Sequence, residues 1–203
     1  MIAIIDYGMG NLASVNNAFL KLGYETITTS APETILAADK VVLPGVGAFA
    51  DAIANLRQAG LDQTIQSLVE REIPLLGICL GLQLLFSVSY ENGVHQGLGI
   101  IPGQVKKFEL PPQYKVPQMG WNSITVNPRS QLLAGIPSGS YFYFVHSYYV
   151  VPEDESVVAA RTEYGIDFVS AIEKGNLFAT QFHPEKSSEL GLRVLRNFAE
   201  LLS

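Results

Sequence analysis

The chain is poor in cysteine, in histidine, in clustered positive charge and in long apolar runs. Among 203 residues there is one cysteine, Cys79. A single thiol cannot close an internal disulfide, which fits a reducing compartment. The three histidines, His95, His146 and His183, and the one cysteine are scattered without zinc-ligand spacing, so no metal site is expected. Asp and Glu outnumber Lys and Arg 19 to 13, giving a formal charge of −6, and no basic cluster exceeds Lys106-Lys107. A nucleic-acid partner is therefore not expected. No apolar run approaches the ~18 residues of a membrane span. Met1-Ile2-Ala3-Ile4-Ile5-Asp6 has no basic leader and enters an apolar stretch at once, unlike a signal peptide. These absences point to a soluble cytoplasmic protein with no membrane partner.

Hydrophobic residues make up 48% of the chain and charged residues 16%, the balance of a globular protein. The length suggests one domain over 1–203. In the first half, short apolar strands at 2–7, 25–29, 40–43 and 73–78 alternate with helical patterns at 12–22, 50–57 and 61–70. In the second half, strands are expected at 104–109, 122–126, 141–145, 157–161, 168–173 and 178–182, with Gly175-Asn176 as a hairpin turn. An amphipathic helix at 190–202 closes the chain. The expected fold class is α/β, a three-layer sandwich whose central, mostly parallel sheet is extended by antiparallel strands.

The apolar run Pro74-Leu75-Leu76-Gly77-Ile78 leads into Cys79, then Leu80-Gly81 and a second apolar run with helical spacing. This is a G-x-C-x-G form of the nucleophile elbow, in which a strand turns sharply into a helix and presents one side chain. Such a turn crowds the backbone, and Gly tolerates the strained angles; a helix N-terminus favours the reactive thiolate. The plainer alternative is a small buried hydrophobe. A base must also exist, and His183-Pro184-Glu185 lies between the last strand and the final helix, at the sheet edge where Cys79 emerges if the strands are parallel. The two-residue spacing lets Glu185 bond one imidazole nitrogen while the other faces the thiol, following the logic of a catalytic triad. A structural histidine and an acid at a helix start would read the same way. His95 is assigned to an exposed loop and His146 to packing or a pocket wall. An oxyanion hole would draw on the N–H of Leu80 and on the loop Gly45-Val46-Gly47, a segment that by itself is equally a plain turn.

In this order, the Gly45–Gly47 loop, the elbow and His183-Pro184-Glu185 resemble the class I (triad) glutamine amidotransferases, over nearly the whole chain. Asp6-Tyr7-Gly8-Met9-Gly10-Asn11-Leu12, Pro117-Gln118-Met119-Gly120-Trp121-Asn122 and Phe144-Val145-His146-Ser147-Tyr148 narrow the resemblance to glutaminase subunits of imidazole glycerol phosphate synthases. The resemblance implies that Cys79 attacks the side-chain amide of glutamine, that His183 protonates ammonia and then activates water, and that Glu185 orients His183. It implies substrate contacts from Gln83, Glu91 and the Ser147-Tyr148 backbone, although Glu91 reads equally as a solvated loop carboxylate. It also implies a heterodimer with a (β/α)8-barrel cyclase that receives the ammonia, with Asn11, Met119, Trp121 and Lys186 facing that partner. No cofactor is implied. Gln118 departs from the pattern, since such subunits often carry His there.

Four other readings compete, one of them an amidotransferase with a different acceptor, although anthranilate-type relatives usually carry His where this chain has Leu82. Gly8-Met9-Gly10-Asn11-Leu12-Ala13 satisfies a dinucleotide fingerprint, but the second strand ends at Thr29-Ser30-Ala31 without the acid that holds a ribose. A cysteine peptidase on a similar sheet often places His after the nucleophile, where this chain has Leu80. A scaffold without activity would not need Cys79, His183 and Glu185 together.

Overall fold

The computed structural model describes residues 1–201. Its first strands are β1 (Ile2–Ile5), β2 (Thr26–Thr29), β3 (Lys40–Gly45) and β4 (Leu75–Cys79). Every residue of β1, β3 and β4 is buried, as parallel strands covered on both faces require. The helices are α1 (Leu12–Lys21), α2 (Pro32–Leu36), α3 (Phe49–Gln58), α4 (Leu61–Glu70), α5 (Leu80–Leu84) and α6 (Ser188–Glu200). The remaining strands are β5 (Phe86–Ser89), β6 (His95–Gln96), β7 (Ile101–Lys107), β8 (Gln118–Val126), β9 (Ser140–His146), β10 (Tyr148–Pro152), β11 (Val158–Glu163), β12 (Asp167–Lys174) and β13 (Leu177–Thr180).

The sheet runs β2-β1-β3-β4-β13-β12-β10-β7-β5-β6. Its first five strands are all parallel. From β13 onward the pairings are antiparallel except β5 with β7, and β11, β8 and β9 branch from β12. Strand alternation divides the core into two faces. Ala3 and Ile5 of β1 join Val41, Leu43 and Leu75 under Ile35 of α2, Phe49 and Leu56 of α3 and Leu61 and Leu68 of α4. Ile2 and Ile4 join Val42, Leu76 and Ile78 under Val15 and Phe19 of α1 and Val194, Leu195 and Phe198 of α6. The result is a helix–sheet–helix sandwich extended by antiparallel strands. Truncating a fully buried aromatic such as Phe198 to Ala would cost about 3–5 kcal/mol.

The expected elements are present with shifted ends. β3 continues through Pro44 to Gly45, pairing Pro44 with Ile78 and Gly45 with Cys79. β8 starts at Gln118, so Trp121 lies on a strand rather than in a loop. His95, expected in an exposed loop, is half-buried in the two-residue strand β6. The short elements α2, β5, β6 and β10 were not expected. The closing helix spans Ser188–Glu200, and residue 202 of the expected span lies outside the described residues. Among the described residues no helix is long and apolar enough to cross a membrane.

Candidate active site

Cys79 ends β4 and precedes α5 with φ 56° and ψ −108°. A non-glycine residue held there stores about 1–3 kcal/mol of backbone strain, which the surrounding packing must offset. The strain falls on the cysteine and not on the flanking glycines, whose role is close approach. A Cβ on Gly81 would lie 2.0 Å from the Leu43 carbonyl oxygen, and one on Gly77 would lie 2.9 Å from the Gly81 carbonyl carbon. Of the two expected reasons for these glycines, crowding of the backbone holds, and tolerance of strained angles is corrected. Gly45 is crowded in the same way, by the Tyr7 hydroxyl at 2.7 Å and Leu80 Cβ at 2.9 Å.

β13 lies parallel to β4, with Thr180 beside Ile78, so the chain leaves both strands at one sheet edge. His183 follows within three residues of β13 and leads into a one-turn 3-10 helix, Pro184–Lys186. Its Nδ1 is 2.8 Å from Glu185 Oε1, and both side chains are buried. The His183 backbone is clamped as well. Its N–H donates to the Tyr143 carbonyl at 2.9 Å, and its carbonyl accepts from the Ser187 hydroxyl, whose oxygen accepts the Tyr143 N–H. His183 Nε2 has no geometrically complete hydrogen bond among the described residues, yet Cys79 is near enough to act on the ring. Burial pushes the His183 pKa down, but the hydrogen-bonding and charge effects of Cys79 and Glu185 outweigh it and raise the pKa to about 10. The ring is therefore protonated at neutral pH, and an imidazolium beside a thiol favours the thiolate.

Cys79 and His183 line one cavity of about 290 Å³ together with Val46, Leu80, Gln83, Glu91, Ser147 and Tyr148. That is the small end of ligand sites, suited to a single amino acid. Gly45 sits beside Cys79 in register but does not line the cavity. Glu91 also has a structural task, because its Oε2 accepts the Phe49 N–H at 2.8 Å at the start of α3, where Ala48 offers no capping side chain. The Ser147 carbonyl is taken by the Phe108 N–H. The Tyr148 carbonyl accepts from Gln83 Nε2 at 3.2 Å and from His146 Nδ1 at 2.7 Å. His146 is on the cavity wall among Phe108, Phe144 and Phe168, and burial lowers its pKa to about 4.

The four residues implied to face a partner lie outside this cavity. Met119 and Trp121 are 65% and 52% exposed, and Lys186 is exposed with its ammonium 6.0 Å from the Tyr143 ring centre. Asn11 is half-exposed, and its side-chain oxygen caps α1 through the Ser14 N–H. Sequence reasoning missed Tyr7, Tyr143 and Gln181. Tyr7 donates to the Pro44 carbonyl at 2.9 Å, and Tyr143 lies between Trp121, which it meets edge-on, and the tilted ring of His183. Gln181 Nε2 is 3.7 Å from the Cys79 sulfur. The one available signal was a polar residue, Gln181, interrupting an apolar run just before the histidine. Among the described residues no three His, Cys, Asp or Glu side chains are placed to hold a metal ion.

A parallel sheet whose elbow cysteine shares an amino-acid-sized cavity with a glutamate-bound histidine defines a class, and the family model for class-I glutamine amidotransferase matches residues 3–201. The chain belongs to the class I glutamine amidotransferase family. Within it, the chain is 59% identical over 201 residues to the imidazole glycerol phosphate synthase subunit HisH of Moorella thermoacetica, covering 99% of this chain and 95% of that protein. It is 55% identical to the subunit of the same name from Methanothermobacter thermautotrophicus, covering 100% and 99%, and 50% identical to that of Geobacter sulfurreducens, covering 98% of each. Among solved structures, a glutamine amidotransferase superposes with a TM-score of 0.77 at 20% identity over 98% of both chains. PurLQS from Thermotoga maritima superposes at 0.76 and 19% identity over 98% and 96%. Those likenesses concern the fold.

Proposed function

We propose that the chain is the glutaminase subunit of an imidazole glycerol phosphate synthase, with Cys79, His183 and Glu185 as its catalytic triad. The observation that carries this reading is the shared cavity of Cys79 and a Glu185-bound His183, in a chain 59% identical to a protein of that name. The Cys79 thiolate adds to the side-chain carbonyl carbon of glutamine, and the C=O electrons move onto oxygen. The N–H groups of Leu80 and Val46, both residues of the cavity wall, receive that oxyanion, and losing one such donor costs ~10²–10³ in rate. His183 gives its proton to the departing nitrogen, the C–N bond breaks as the C=O re-forms, ammonia leaves and a glutamyl thioester remains on Cys79. The neutral ring then takes a proton from water, hydroxide adds to the thioester, and glutamate leaves as the thiolate re-forms. Gln83, Glu91 and the Ser147-Tyr148 backbone hold the amino-acid end of the substrate.

Ammonia passes to a (β/α)8-barrel cyclase, the heterodimer partner, seated against Asn11, Met119, Trp121 and Lys186. The exposed Met119 and Trp121 support that surface, because large apolar side chains left in water beside a site favour an interface. One domain over 1–203 in the cytoplasm goes with this reading. The test compares glutamate release from the chain alone and with the cyclase bound to its own ligand, for wild type and Cys79→Ser. We expect Cys79→Ser to abolish glutamine-dependent synthesis while the complex still works with added ammonium. Glutamine-dependent turnover persisting in Cys79→Ser would overturn the assignment.

A further inference from the structure

The Cys79 sulfur has two polar neighbours besides the triad. One is the Val145 carbonyl oxygen at 4.0 Å and the other is Gln181 Nε2 at 3.7 Å. The first can only accept, so it interacts with the S–H form. The second can only donate, so it interacts best with the thiolate. Which atom of the Gln181 amide faces sulfur is therefore decisive, and the surrounding hydrogen bonds fix it. The Tyr148 carbonyl is an acceptor, so the Gln83 group 3.2 Å away must be its NH2. The same Gln83 nitrogen is 3.1 Å from Gln181 Oε1, so that Gln181 atom must be oxygen. The Gln181 NH2 is then left pointing at Cys79. A flip of either amide would set two acceptors or two donors face to face.

We infer that Gln181 is a positioning residue for the nucleophile, donating an N–H to the Cys79 thiolate in an orientation inherited from the Tyr148 carbonyl through Gln83. The relay is built to hold. Gln181 is fully buried, and its own backbone N–H donates to the Ser170 carbonyl at 2.8 Å. Neutral His146 shares the Tyr148 carbonyl, donating from Nδ1 at 2.7 Å, which fixes that carbonyl in turn. Gln83 spends both amide protons inside the protein, leaving its oxygen as the atom free to meet a ligand in the cavity it lines. The amide that borders the substrate space is thus the amide that aims the N–H at sulfur. This inference rests on the proposed role of Cys79.

Because Cys79 is the only cysteine in the chain, alkylation by iodoacetamide reads its sulfur alone. In Gln181→Met, an unbranched side chain of similar size, alkylation at neutral pH should slow roughly tenfold, the size of one hydrogen bond to a charged group. The deficit should close as pH rises and the thiolate forms unaided. In the complex, kcat for glutamine should fall with KM within about twofold, because the contact strengthens at sulfur and not at the substrate. Gln83→Met, on the cavity wall, frees the Gln181 amide to turn and should slow alkylation by a smaller factor; it decides the matter if Gln181→Met does not fold. Alkylation profiles superimposable on wild type in the folded variants would overturn the inference. The alkylation arm does not depend on glutamine chemistry, and Cys79→Ser tests that chemistry separately, so the two readings fail independently.

Discussion

Glu185 lies beside His183 in a buried pair, and the electrostatics of that pair set a pH window. The ring's pKa in the folded chain, about 10, exceeds its ordinary 6.5. The folded state therefore holds the proton more tightly than the unfolded chain does, so protonation favours folding. That contribution is complete below about pH 6.5, declines above it and is gone once pH has passed about 10. Glu185→Gln removes one of the two groups that raise the ring's pKa. The stability gap between wild type and Glu185→Gln, measured by urea unfolding, should be widest near pH 6.5 and shrink toward pH 10. A gap that widened with rising pH would contradict the arrangement. His146 behaves in the opposite sense. Its pKa falls to about 4 through burial, so it favours the folded state above pH 6.5 and loses that contribution as pH falls through about 4. Two histidines 37 positions apart in one cavity wall thus carry opposite protonation states at neutral pH. Only His183 has a carboxylate two residues away, which is why it was legible and the neutral, hydrogen-bonded state of His146 was not.

At the scale of elements, the elbow depends on two backbones touching. A Cβ on Gly81 would sit 2.0 Å from the Leu43 carbonyl oxygen, a backbone atom of β3 that cannot rotate away. Gly81→Ala should therefore push α5 off β3 and cost about 3 kcal/mol or more. Gly175 offers the contrast. It sits at φ +58° in the two-residue turn between β12 and β13, with nothing within 4 Å of a Cβ. Gly175→Ala should cost only about 1–2 kcal/mol, the price of a left-handed L residue. Urea midpoints for the two variants separate the mechanisms, and equal losses would refute the close-contact account. The hairpin at Gly175-Asn176 was readable because a turn acts over two residues. The inner parallel strands β1, β3 and β4 were readable because they are buried on both sides and largely apolar. β5, β6 and β10 were not: these strands of two to five residues owe their place to partners, β5 to β7, β6 to β5 and β10 to β7 and β12, rather than to any sustained pattern of their own. The Gln83–Gln181 relay escaped for the same reason, because its partners are 98 positions apart and an isolated glutamine carries no periodicity.

For the whole molecule, the arrangement of aromatic rings links the proposed catalytic edge to the outside. His183 faces Tyr143 at 6.5 Å between ring centres, and Tyr143 meets Trp121 edge-on at 6.3 Å. Trp121 then stands in solvent beside Met119, with Tyr141 on the adjoining strand β9 59% exposed. A water-exposed Trp–Met–Tyr group costs solvation in the free chain and is offset when a partner covers it. The same exposure means that Trp121 contributes little to the fold, so its truncation separates association from folding. Trp121→Ala should leave the melting midpoint within about 2 °C of wild type, as a surface change of under half a kcal/mol allows. Its affinity for the barrel cyclase should drop by about 30-fold or more, the loss expected of a central aromatic anchor. Glutamine-dependent synthesis, which in the proposed reading needs both subunits, should shift to higher cyclase concentration and reach its plateau only there. Calorimetric titration of wild type and Trp121→Ala with the cyclase checks the first part, and activity against cyclase concentration checks the second. Unchanged affinity in a folded Trp121→Ala would remove this face from the interface and leave the triad's chemistry untouched, because no atom of Trp121 borders the cavity of Cys79 and His183.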